Sequence, residues 1–152
     1  MKICGIDLKG SEANLCLLSF ENEVFMLPEC RVRKLTYPKQ DSTEEIRKFQ
    51  FAFKKLMEDY QIQRVVIRER PSKGKFAGSA AGFKLEAAIQ LIDTLNVDVL
   101  SATHIKTLIK RNPVPVPFSE TGLKGFQEAA FNTAYAMIMK DKFGLEPEDT
   151  SD

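Results

Sequence analysis

One histidine, His104, and three cysteines, Cys4, Cys16 and Cys30, are all that 152 residues offer for imidazole or thiolate ligation of a metal. The cysteines are odd in number and lack C-x-x-C spacing, and a four-ligand zinc site would have to gather its ligands from far-apart segments. Neither zinc nor a disulfide framework is therefore expected. Cys4 and Cys16 sit inside apolar strand-like runs, where a reduced thiol packs as a small hydrophobe. Long apolar runs are missing too. No stretch approaches the length that spans a bilayer, and Asp7 and Lys9 interrupt the N-terminus before a signal-like run develops, so the expectation is a cytoplasmic protein with no membrane partner. An excess of one charge is also lacking: 22 Lys and Arg against 21 Asp and Glu leave a formal net charge of +1. The whole-molecule field announces no acidic or basic partner, so any such partner must be read from local clustering.

What is present suits one compact domain with a real core, since 43% of the residues are hydrophobic and 28% charged. There are no repeats and no linker long enough to divide the chain. We expect a single domain over residues 1–145 and a frayed acidic tail over 146–152.

KICGIDL and NLCLLSF flank the polar break KGSEA and read as a β-hairpin. EVFMLPE and RVRKLTYP continue as extended chain interrupted by Pro28 and Pro38, which makes a three-strand meander. The period then changes. In DSTEEIRKFQFAFKKLMEDY, Ile46, Phe49, Phe53, Leu56 and Tyr60 recur at steps of three and four, and Ser42 and Glu45 are spaced as a capping box. QRVVIRE is a short, continuously apolar run, the pattern of a strand covered on both faces. GFKLEAAIQLIDTL repeats Phe83, Ala87, Leu91 and Leu95 every fourth residue as a second helix. VDVLSA is a last strand, THIKTLIK a short helix, and NPVPVPFSETG an extended proline-rich loop. GLKGFQEAAFNTAYAMIMKDKFG closes the chain as an amphipathic helix presenting Phe126, Ala130, Thr133, Ala134, Met137 and Ile138, with Gly144 as its stop signal. Strands that follow helices should run parallel through right-handed crossovers. The economical solution is an α/β fold: a mixed five-stranded sheet with helices on both faces.

Ligands in open α/β sheets gather at the carboxyl ends of the parallel strands. Two acids stand at such ends, Asp7 after ICGI and Glu69 after RVVIR. If those strands are neighbours, two carboxylates roughly 4 Å apart at an effective dielectric of about 20 repel by about 4 kcal/mol. A hard divalent ion relieves that repulsion, and Mg²⁺ or Mn²⁺ prefers carboxylate oxygens and retained waters. Glu128, in the first turns of the closing helix, is placed to supply a third acid. Each acid also has a plainer reading: Asp7 as a turn former in D-x-x-G-S, Glu69 as an ion-paired strand end between Arg68 and Arg70, and Glu128 as an acid favoured by the helix dipole.

The local basic cluster lies beside Glu69. Residues 68–84, RERPSKGKFAGSAAGFK, carry Arg68, Arg70, Lys73, Lys75 and Lys84 against one acid. Its small residues would admit a phosphate backbone, Lys73 and Lys75 would neutralise phosphates, and Phe76 would stack on a base. Lys106, Lys110 and Arg111 would extend the same face. No G-K-[ST] follows the first glycine at Walker A spacing.

ICGIDLKGSEANLCLL, RVVIRERP and QEAAFNTAYAM, in that order, resemble the ribonuclease H-like superfamily and within it the branch of RuvC-type resolvases. The resemblance covers essentially the whole order of elements. It implies a three-layer fold with sheet order 3-2-1-4-5, and a cluster in which Asp7, Glu69 and Glu128 bind two divalent metals that align water against a phosphodiester. It also implies action on structured DNA or RNA, and a homodimer, although no exposed apolar stripe marks an interface. The departure lies at Phe131, where those resolvases usually carry a further acid three residues after the helical one. Gln127, Asn132 or Glu86 would have to substitute. The expectation is thus a Mg²⁺- or Mn²⁺-dependent nuclease, with a non-catalytic nucleic-acid- or protein-binding module on a degenerate site as the alternative. GIDLKGS is also similar to the first phosphate loop of actin-like ATPases and sugar kinases, whose nucleotide lies between two such domains, whereas this chain supplies one.

Overall fold

The computed structural model describes residues 1–36, 42–74 and 78–144. The apolar runs at the N-terminus form β1 (Lys2–Lys9) and β2 (Glu12–Glu21), antiparallel from Lys2↔Ser19 to Lys9↔Glu12 around a turn at Gly10 and Ser11. Both strands are buried along almost their whole length because layers cover both of their faces. β3 (Val24–Met26) returns beside the far end of β2 and β4 (Lys34–Thr36) beside its near end. On the other side of β1 lies β5 (Arg64–Arg68), parallel to it, and then β6 (Asn96–Leu100), parallel to β5.

The sheet order is β3-β2-β1-β5-β6, with β4 also on β2. This is the expected 3-2-1-4-5 arrangement with its third position divided between two short strands, which makes six strands rather than five. Pro28 between them cannot donate to a ladder, so one continuous edge strand would lose a bond there.

Helix α1 (Thr43–Asp59) starts as its capping signal predicts, with Ser42 Oγ accepting from the Glu45 backbone N–H at 3.3 Å. Its Phe49, Phe53, Leu56 and Met57 pack with Leu85 and Ile89 of α2 (Ala80–Gln90) against Cys4, Ile6, Val65 and Ile67. α3 (Ala102–Arg111) and α4 (Glu128–Phe143) cover the opposite face, where Leu108, Ala134 and Ile138 meet Ile3, Cys16, Val66 and Leu100. The result is a three-layer α/β fold whose successive side chains on β1 and β5 alternate between the two helical layers. Among the described residues no helix is long and apolar enough to cross a membrane.

Two helices differ from their sequence patterns. α2 ends at Gln90, and its buried side is Leu85, Ala88 and Ile89; Leu91 is 75% exposed. The every-fourth-residue pattern marked the wrong stripe, because a turn and then β6 follow where another helical turn was expected. α4 is preceded by a single 3-10 turn, Gly125–Gln127, and is buried nearly all round rather than on one face. It lies across β1, β2 and β5 and is itself covered by α3, so a one-sided stripe would not serve. Phe126 stays outside, under the Lys34 ammonium at 4.3 Å. Gly144 ends α4 in the left-handed conformation, φ +64°, as the stop signal predicts.

The closest approach in the fold is between β1 and α4. A Cβ on Gly5 would stand 2.1 Å from the Ala130 carbonyl oxygen and 2.9 Å from Ala134 Cβ. Only glycine lets this helix sit so low on the sheet, and the same closeness brings its first turn to the end of β1. The acidic tail, together with Lys75 and Phe76, lies outside the described residues.

Candidate active site at the end of the central strand

Asp7 lies at the carboxyl-terminal end of β1, which stands between β2 and β5. Alternation turns its side chain toward α4, like that of Ile3 and like the Cβ that Gly5 lacks. It is 6% exposed, and its Oδ1 accepts no hydrogen bond among the described residues. Arg70 Nη1 stands 3.8 Å from that oxygen, close enough for charge attraction but too far for a hydrogen bond.

Asp7 opens into a cleft of about 510 Å³ lined by Lys9, Glu12, Asn14, Phe126, Glu128 and Asn132 among others. Glu128 and Asn132, one helical turn apart on α4, share this wall because residues four apart lie on one face. Lys34 on β4 holds the rim, pairing with Glu12 at 3.2 Å while covering the Phe126 ring. The structure therefore brings Asp7 and Glu128 to one cleft.

Glu69 does not join them. Ile6 is level with Ile67 across the parallel pair, so the residue level with Asp7 and on its face of the sheet is Arg68. Glu69, one residue on, falls on the side of α1 and α2. There it raises the pKa of Glu86 on α2, whose carboxyl is lifted first by burial and then by the Glu69 charge. Glu86 is consequently with Glu69 and apart from Asp7. Gln127 is committed elsewhere, its Nε2 donating to the Leu15 carbonyl at 2.9 Å and its Oε1 accepting from the Lys124 N–H at 2.9 Å. Of the three expected substitutes for a missing acid, only Asn132 faces the cleft. Phe131, at the position of that acid, is buried against the rings of Phe118 and Tyr135.

A second cleft of about 590 Å³ adjoins the first, sharing Ala129 and Asn132 and continuing over Arg68, Thr103, Lys106 and Lys110. Arg68 is half-buried, and its side chain makes no ion pair or hydrogen bond with a described residue. The two clefts form one track with carboxylates at one end and cations at the other. Lys73 is exposed in the loop after Arg70, which the Gly78 N–H closes by donating to the Pro71 carbonyl at 2.8 Å.

Sequence pattern singles out neither Arg68 as a ligand-facing group nor Asn14 in any role. Asn14 lies opposite Asp7 on β2, and counting back from the Gly10–Ser11 turn would have found it. His104, in the first turn of α3, donates its backbone N–H to Ser101 Oγ at 3.0 Å and lines neither cleft.

The donors facing the first cleft are hard oxygens. One Mg²⁺-class ion held by one or two carboxylates, with waters completing its shell, would fit Asp7 and Glu128, and Asp7 Oδ1, which accepts no hydrogen bond from a described residue, is the atom that asks for it. A cluster of three acids does not fit, since no group of three or more His, Cys, Asp or Glu side chains converges among the described residues.

Residues 1–137 match the family model described as "Protein of unknown function (DUF3010)". The chain belongs to the DUF3010 family. No curated protein matches it. Among solved structures, this DUF3010 chain is similar to the Thermus thermophilus RuvC structure at 13% identity, with a TM-score of 0.74 over 95% of this chain and 97% of that one. It is also similar to T. thermophilus RuvC in complex with Holliday junction substrate, at 10% identity and a TM-score of 0.68 over 95% and 96% of the two chains. At these identities the likeness concerns the fold, which is ribonuclease H-like with a RuvC-like arrangement.

Proposed function

We propose that this DUF3010 protein is a divalent-metal-dependent nuclease acting on structured nucleic acid, with Asp7 and Glu128 holding the ion. The observation that carries the reading is the buried Asp7 oxygen that accepts no hydrogen bond from a described residue, at the end of the central strand, on a residue that lines one cleft with Glu128. When bound, Mg²⁺ or Mn²⁺ would supply charge to a phosphodiester oxygen and acidify a water. The chain's own part is positioning. Arg68 and Lys106 neutralise phosphates along the adjoining cleft, Lys73 does so from the loop, and Asn132 bridges the two regions. Lys75 and Phe76, outside the described residues, are the further candidates that the sequence offers for phosphate and base contacts. The RuvC structure bound to a Holliday junction makes branched DNA the first substrate to try.

A second reading is favoured by a specific observation. Arg68 stands at the level of Asp7 on its own face of the sheet, and Arg70 stands 3.8 Å from it, so cations surround the acid where a further carboxylate was expected. On that reading the fold binds nucleic acid without cleaving it. A panel of four-way junction, duplex and single strand, incubated with Mn²⁺ or with EDTA, separates the two. Cleavage that chelation and Asp7→Asn both abolish is the expected result. Binding that persists in EDTA, with no cleavage of any substrate, would establish the binding module instead.

A further inference from the structure

Asn14 interrupts an apolar run. Ala13, Leu15 and Cys16 around it are fully buried, and Asn14 itself is 3% exposed, yet its Oδ1 has no hydrogen-bond partner among the described residues. The antiparallel register sets it directly opposite Asp7, whose Oδ1 is likewise buried and unpartnered. Opposed residues in such a pair carry their Cβ atoms about 5 Å apart. Here both side chains line the same cleft.

Two oxygens withdrawn from water on facing residues, with no hydrogen-bond donor for either, make an unfavourable pair; the Arg70 guanidinium, 3.8 Å from the Asp7 oxygen, offsets it by charge alone and leaves Asn14 Oδ1 with nothing, so a hard cation would complete the set. The simplest structural use of an asparagine here would be to donate its amide N–H to the Asp7 carboxylate. No hydrogen bond joins Asn14 to Asp7 among the described residues, and what the two share is a buried oxygen that accepts no hydrogen bond, on each of two residues that line one cleft. Magnesium-class cations accept amide oxygens together with carboxylates, whereas soft metals do not select such a set.

We propose that Asn14 is a ligand of a hard divalent cation, its amide oxygen sharing the ion with Asp7. The proposal rests on the metal-dependent reading of the cleft and adds to it a ligand from β2, on the strand beside the one that carries the acid. A neutral oxygen also explains how the site works with few carboxylates: Asn14 adds a coordinating atom without adding a charge to repel Asp7 and Glu128. Affinity follows ligand charge, so such a site binds weakly until a substrate phosphate contributes its own oxygens.

The test is Mn²⁺ binding by the full chain, read from the loss of the free-ion electron paramagnetic resonance signal. It compares wild type with Asn14→Leu and Asn14→Asp, and adds melting temperatures with and without Mn²⁺. Asn14→Leu should weaken binding by about tenfold or more. Asn14→Asp should tighten it, melt lower than wild type without ion because two carboxylates then face each other, and recover more stability than wild type on adding Mn²⁺. Equal Mn²⁺ affinity in wild type and Asn14→Leu would overturn the proposal. So would an Asn14→Asp protein whose lowered melting temperature Mn²⁺ does not restore, and this variant decides alone if Asn14→Leu fails to fold. Junction cleavage run in parallel keeps the two levels apart. Wild type that binds Mn²⁺ and cleaves, with Asn14→Leu unchanged in both, removes Asn14 and leaves the nuclease reading standing; wild type that binds no Mn²⁺ removes both.

Discussion

Gly5→Ala tests the contact on which the site depends, the seating of α4 on β1. The added methyl would stand 2.1 Å from the Ala130 carbonyl oxygen, against an ordinary contact of 3.4–4 Å. Backbone cannot rotate out of the way as a flexible side chain can, so strand and helix must part by about 1 Å, loosening the buried packing along both. Overpacking in a well-filled core costs about 1–3 kcal/mol, and a clash against backbone falls at the upper end, so we expect a loss of about 3 kcal/mol. Urea unfolding followed by circular dichroism measures it, with Gly125→Ala as control: a Cβ there meets nothing within 4 Å, and the expected change is within about 0.5 kcal/mol. Ala130 lies between Glu128 and Asn132 on α4, so the parting also moves those two side chains away from Asp7. A Gly5→Ala protein within 1 kcal/mol of wild type by this assay, roughly the size of an average substitution, would refute the packing argument.

Replacing Arg68 and Lys106 together by alanine should weaken junction binding and lower the slope of log affinity against log salt by about 1 for each phosphate no longer neutralised, as a salt titration reads it; an unchanged slope would place the phosphates elsewhere. Glu86, whose carboxyl pKa is raised by burial and by Glu69, costs stability as it ionises. Below the ordinary carboxylate range both states are protonated and the cost is absent; as pH rises toward the raised folded value the unfolded chain ionises more readily, and stability falls and then stays lower. Glu86→Gln should therefore melt above wild type near neutral pH, with the difference vanishing in acid, and a pH-independent difference would contradict this. Thiol titration with an aromatic disulfide reagent at about pH 8 should find one fast cysteine, Cys30, and three after unfolding. Cys4 is raised well above its ordinary value and Cys16 is pushed up to about 12, chiefly by burial; three equally fast thiols in the folded protein would contradict their burial.

How far the site could be read from the sequence turned on strand register. The ends of β1 and β5 were visible in ICGID and RVVIRE, and so were the helix start at Ser42 and the stop at Gly144. Which residue of β5 stands level with Asp7 was not, because an apolar run has no internal marker of register and a one-residue slip carries a side chain to the other face. That slip separates Glu69, expected beside Asp7, from Arg68, found at its level. In the hairpin a two-residue turn fixes the count, so the pairing of Asp7 with Asn14 was there to be worked out. For α4 the periodicity failed for a different reason. A helix enclosed by sheet and neighbouring helix needs small and apolar residues on every side, and Ala130, Ala134 and Ala136 meet that need without forming a stripe.

The central claim is that the end of β1 holds a hard divalent ion. A crystal soaked in Mn²⁺ and measured for anomalous scattering addresses it most directly. The account predicts a peak about 2.2 Å from an Asp7 carboxylate oxygen, within reach of Glu128 and absent from an Asp7→Asn crystal. A map with no peak at Asp7, or with one only on the Glu69 and Glu86 side of the sheet, would contradict it.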